Sequence, residues 1–167
     1  YATLLTFAAL DPSDIFTKTE LATATRSLPP DGLRIAAEAL ARAIEGAGDQ
    51  SADYWANRVA PYLRSIWPKS RENVSPAIAG SLGRVCVAAQ GAFPEALAVV
   101  RPWLQPLDHP DDLVRRLHEA SLCRQFPAPA LAFLDLIIAD SPQWPPTHLK
   151  DCLTDIEANL PHDELAL

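Results

Sequence analysis

The chain has 167 residues, of which 49% are hydrophobic and 21% charged, a balance that excludes wholesale disorder and suits one self-sufficient domain. The net charge of −7 lies mostly in residues 84–167, which carry 6 basic and 12 acidic side chains against 8 and 9 in residues 1–83. An acidic surface repels phosphate, which argues against nucleic acid and anionic membranes as partners of that half.

Helical signals recur along the whole chain, and no alternating run reaches a convincing strand length. Tyr1–Leu10 (YATLLTFAAL) is an apolar helix, half the roughly twenty residues a membrane span needs. The chain opens on Tyr1 and has no methionine, so it is expected to be part of something longer, with an upstream segment cut from this helix. Ser13 or Asp14 is expected to cap a second stretch carrying Ile15, Phe16, Leu21 and Leu28, ended by Pro29-Pro30. Asp31 then offers an N-cap oxygen to a helix over 32–45, with Leu33, Ala36, Ala37, Leu40 and Ile44 at helical spacing. Ser51 or Asp53 starts the next helix, through Tyr54, Trp55, Val59, Tyr62, Leu63 and Ile66 to Trp67-Pro68. Pro61 lacks an amide hydrogen and must kink or restart it.

Ser75-Pro76 is a strong helix start, a hydroxyl cap followed by proline at the first helical position. That helix carries Ile78, Leu82, Val85, Cys86 and Ala89 and stops at Gly91. Phe93-Pro94 opens a helix with Leu97, Val100 and Leu104; Asp108 or His109 with Pro110 opens one with Leu113, Leu117, Ala120 and Leu122. Phe126-Pro127 opens another with Leu131, Leu134, Ile137 and Ile138. Trp144-Pro145-Pro146 precedes a last one with Leu149, Leu153, Ile156 and Leu160, ending at Pro161.

The openers are periodic. Phe93-Pro94 and Phe126-Pro127 lie 33 residues apart, Pro76 and Pro110 34, Pro110 and Pro146 36. A period of that length with two helices per unit marks an αα-hairpin array, because one hairpin cannot bury both apolar stripes alone. The expected fold is a single all-α domain over residues 1–167, with N-terminal helices in 1–49 and a repeat-like array in 50–167. Its architecture is a HEAT-like right-handed stack of about eight or nine helices, with a compact helical bundle as the alternative.

No metal and no cofactor is expected. Cys86, Cys123 and Cys152 sit inside helices and form no CxxC pair, so they read as small buried hydrophobes. The sharpest constellation is His148 with Cys152, one turn apart, with Asp151 and Asp155 nearby; two ligands do not close a tetrahedral site. His118-Glu119 reads as a solvated helix face, with Asp111 and Asp112 paired to Arg115 and Arg116. No phosphate loop, GxSxG elbow, HExxH or EF-hand motif occurs, so no catalytic residue is assigned.

The candidate interaction surface is cationic and aromatic: Arg58, Arg64, Trp67, Lys69, Arg71 and Arg84, opposed in that stretch only by Glu72. Arg and Trp anchor protein interfaces. Trp67 could instead plug the groove between hairpins, as Trp103 and Trp144 could at other helix ends. Sensing of nucleic acid through the Arg58–Arg84 cluster is the competing reading.

R-x-x-P-x-L-x-x-I-W-P-K (Arg58 to Lys69), Phe93-Pro94-Glu95, P-W-L-x-P-L-D (Pro102 to Asp108) and P-x-W-P-P-x-x-L (Pro142 to Leu149) resemble a bacterial C-terminal helical domain of unknown function. That family sits downstream of sirtuin-like or nucleotide-hydrolysing modules in large proteins, several suspected in defence against phage. The resemblance, over roughly residues 50–165, implies an effector or sensor module upstream of Tyr1; the function expected of this chain is that of a non-catalytic interaction or scaffold domain of a bacterial cytoplasmic protein. Its partner would be another protein or the upstream module of the same polypeptide. It brings no catalytic residues.

Overall fold

The computed structural model describes residues 1–13, 15–72, 74–140 and 144–160. All regular structure in them is helical: α1 (Ala2–Leu10), α2 (Lys18–Arg26), α3 (Pro30–Gly46), α4 (Ser51–Tyr54), α5 (Ala60–Ser65), α6 (Pro76–Ala88), α7 (Phe93–Val100), α8 (Asp111–Glu119), α9 (Leu122–Gln125), α10 (Pro127–Ile137) and α11 (Leu149–Asn159). That is more pieces than the expected eight or nine, because two of the expected rods are broken by local backbone geometry.

The first break is at Pro61. Residues 51–65 form one rod whose middle, Trp55–Val59, is a π-turn in which the Ala60 N–H reaches back five residues to the Trp55 carbonyl. A proline ring clashes with the carbonyl four residues before it and donates nothing to it; widening the preceding turn lets the rod continue. The second break is at Ser121, whose left-handed backbone (φ 57°) ends the rod expected through Leu122 and starts α9. Gln90 (φ 48°), rather than Gly91, takes the left-handed turn after α6.

Two expected starts and one expected end move. α2 is capped by Thr17, not Ser13; Asp14 lies outside the described residues. The Thr17 hydroxyl oxygen accepts the Glu20 N–H (3.2 Å) while the Glu20 carboxylate accepts the Thr17 N–H (2.9 Å), a reciprocal capping box. Ile15 and Phe16 therefore fall outside the helix and are exposed. α3 starts at Pro30 rather than being capped by Asp31, which lies in its first turn and accepts from Arg34 Nε at 2.9 Å. α7 ends at Val100, so Leu104 lies in extended backbone beyond it. Ser75 is as expected: its hydroxyl oxygen accepts the Ile78 N–H at 3.3 Å, with Pro76 at the first helical position.

The helices pack in two series. α1, α3, α6, α8 and α11 each lie against the next, and so do α5, α7 and α10. The openers spaced by 33 residues meet across the second series: the Phe93 and Phe126 ring centroids are 6.3 Å apart, and Phe93 makes an edge-on contact with Phe133 at 5.7 Å. Leu33, Ala36, Ala37, Leu40 and Ile44 of α3 are all buried, as their spacing predicts. The three cysteines are buried and unbridged. Trp67 and Trp103 fill the core, but Trp144 is 82% exposed and plugs nothing.

Candidate functional site

The cation-rich segment is dispersed by the fold. Trp67 is 4% exposed, its ring tilted against Tyr62 at 6.2 Å, so the aromatic anchor belongs to the core rather than the surface. Arg84 on α6 points to α3 and grips Glu45 with two bonds, Nε at 2.9 Å and Nη2 at 2.6 Å. Arg116 of α8 reaches the same carboxylate at 3.2 Å, so Glu45 ties three consecutive helices of the first series together. The Glu45 hydrogen bonds raise the Arg84 guanidinium further above its already high range. Arg64 pairs with Glu95 of α7 at 2.8 Å. Arg58 lines a crevice of about 270 Å³ between the end of α1 and the π-turn. Lys69 and Arg71 stay exposed in the connector, Lys69 Nζ donating to the Leu63 carbonyl at 3.3 Å. The six residues thus serve five different neighbourhoods, and three of the five cations face acids or a backbone acceptor.

A continuous apolar surface lies elsewhere, on α1. Ala2, Thr6 and Leu10 face α3 and are buried. The opposite side carries Tyr1, Leu4 and Phe7, exposed to 81%, 73% and 48%, and Phe16 (51%) beside them. Tyr1, Leu4 and Phe16, with Leu5, Ala8, Glu20 and Leu21, border a crevice of about 530 Å³; Phe7 lies outside it. The signal was present in the sequence: α1 has no charged residue on any side, and an amphipathic helix needs a polar face when one side meets water.

A third cluster joins residues that sequence spacing kept apart. α8 and α11 are neighbours: the Thr147 N–H donates to Asp111 Oδ1 at 3.3 Å, and the Cys152 thiol lies 3.8 Å from the Val114 carbonyl. At the end of α8, His118 stacks on His148, centroids 5.4 Å apart and planes 14° from parallel. Each ring's Nδ1 is shielded from water without a hydrogen-bond partner. His148 Nδ1 lies 3.5 Å from Asp151 Oδ2, and His118 Nδ1 3.7 Å from Asp155 Oδ2. The other Asp155 oxygen accepts from Arg124 Nε at 2.9 Å. His118 is therefore not on a freely solvated face. Cys152 turns inward beside Cys123; the neighbouring Cys152 thiol, then burial, pushes the Cys123 thiol well above its ordinary range. Within α8, Asp112 pairs with Arg115 (2.6 Å) and Arg116 (2.7 Å) and Glu119 with Arg115 (2.7 Å), while Asp111 serves Thr147 instead.

No described helix is long and apolar enough to cross a membrane. No protein-family model matches the chain, and no curated protein or solved structure matches it.

Proposed function

We propose that the chain is a non-catalytic protein-interaction or scaffold domain, built as a HEAT-like array of helix pairs, which offers the outer face of α1 to a protein partner. The observation that carries this reading is the apolar surface of Tyr1, Leu4, Phe7 and Phe16. Fully burying one such side chain stabilises by about 1.5–3 kcal/mol, so the group suffices to anchor an interface. The surface sits on a helix already seated on α3, so docking sacrifices little conformational freedom. The two helix series and the Phe93–Phe126 contact support the repeat reading. The sequence resemblance supports a bacterial, cytoplasmic setting of the phage-defence kind, with a module of the same polypeptide as the partner.

Photocrosslinkers placed at Leu4 and, as a control, at Lys150 test this in the producing cell. The expected result is a discrete protein adduct from Leu4 alone. Its partner should bind the purified chain and lose binding to the Leu4→Glu, Phe7→Glu double variant, whose helical content is unchanged. Undiminished binding by that variant overturns the assignment. A salt-sensitive shift of generic DNA or RNA, abolished by Arg64→Glu with Lys69→Glu, would replace it with nucleic-acid sensing.

A further inference from the structure

From the cluster between α8 and α11 we infer a binding site for a first-row divalent cation, zinc foremost, with His118, His148 and Asp151 as ligands and Asp155 as the carboxylate that orients His118. One ligand atom from each of the three lies within 4.8 Å of the others. A tetrahedral zinc with bonds of 2.0–2.1 Å needs its ligand atoms about 3.4 Å apart. His148 Nδ1 and Asp151 Oδ2, at 3.5 Å, already have that spacing. His118 has only to close in, and side chains that are 30% (His118), 35% (His148) and 59% (Asp151) exposed are free to turn.

The donor set fits the ion. Two imidazoles and a carboxylate suit zinc and its first-row neighbours better than calcium or magnesium, which take oxygen. The ring pair itself asks for such a ligand. The buried His148 Nδ1 has no hydrogen-bond partner, which costs on the order of 1–3 kcal/mol, and an ion bound there would remove that cost. Asp155 completes the arrangement. Held by Arg124 on one oxygen, it presents the other to His118 Nδ1, the carboxylate–histidine relation that fixes a metal-binding ring and leaves Nε2 to the ion. The site is independent of the α1 surface and survives if that reading fails.

The test uses the intact chain, stripped with a chelator and titrated with zinc chloride by calorimetry and with cobalt chloride by visible spectroscopy. Saturable binding of one ion per chain is expected, with the absorption of tetrahedral cobalt. His118→Ala and His148→Ala should each weaken it by more than about 100-fold, Asp155→Asn by about 10-fold, as for loss of an outer partner. His109→Ala, an exposed loop residue, should change nothing. Absence of one-to-one binding by the unaltered chain overturns the inference, as does undiminished affinity in His118→Ala. Should an alanine variant lose helicity, imidazole NMR of the unaltered chain decides. One equivalent of zinc shifts His118 and His148 and spares His109 if the site is real; any other pattern refutes it.

Discussion

Arg84 and Glu45 lie on different helices, 39 residues apart in sequence, and form a two-pronged ion pair whose side chains are only 23% and 24% exposed. Burial of that degree separates it from the Arg64–Glu95 pair, where both partners are about half exposed. Arg84→Ala should cost about 1–2 kcal/mol, Arg116 retaining part of the Glu45 charge. Arg64→Ala should cost under about 0.5 kcal/mol, vanishing at high salt. Urea midpoints at two salt concentrations separate them; equal costs would contradict the structure.

Gly80 and Gly83 lie one turn apart on α6, yet alanine should act oppositely at the two. Nothing stands within 4 Å of where a Gly80 β-carbon would lie, so Gly80→Ala should stabilise by about 0.5–1 kcal/mol through helix propensity. At Gly83 the added carbon meets Leu113 Cδ1 at 2.7 Å, with Phe133 Cζ at 3.6 Å. Leu113 is itself buried and has little room to retreat. Gly83→Ala should destabilise by about 1–2 kcal/mol, the overpacking outweighing propensity. Thermal melts of the two variants give the signs.

Tyr62 provides a pH dependence. Its phenol is buried near the hydroxyls of Thr6 and Thr25 without a completed hydrogen bond, and burial raises it from 10.0 to about 12. A raised folded value means that the stabilisation is fully present below pH 10 and is lost as pH climbs towards 12. The loss is on the order of 2–3 kcal/mol. Tyr62→Phe should change neutral stability by less than about 1 kcal/mol, since no bond is broken, and should flatten the alkaline decline. Urea midpoints from pH 8 to 12 give both readings.

The start of α2 hangs on the reciprocal bonds of Thr17 and Glu20. Thr17→Ala should cost about 1 kcal/mol, and hydrogen exchange should show faster amides in the first turn of α2 before anywhere else. Protection unchanged there would show the cap to be dispensable.

What was legible in the sequence was what neighbours in the chain decide. Ser75-Pro76 announces α6 because both cap and proline act within one turn. Phe93-Pro94 and Phe126-Pro127 mark helix starts for the same reason, whereas the meeting of their two rings is decided by how α7 packs on α10. Ser121 gave no warning, since a serine in the left-handed region is chosen by the packing of α9, not by its own preference. Trp67-Pro68 and Trp144-Pro145 show the limit best: the same dipeptide ends at 4% exposure in one place and 82% in the other. No local pattern separates them. His118 escaped because its partner His148 lies 30 residues away, and only the packing of α8 on α11 brings the rings together.

The small number of buried side chains on α11 turns Cys123 and Cys152 into a built-in reporter. Only Cys152 and Ile156 of that helix are fully buried, whereas α6 sinks seven side chains or backbone positions. Peeling away α11 while the rest stays folded bares both sulfurs, but reaching Cys86 demands that α6 separate from α3, α7 and α8. Iodoacetamide should therefore label Cys123 and Cys152 far sooner than Cys86, and the lag between the two rates measures how readily α11 parts from α8, α9 and α10.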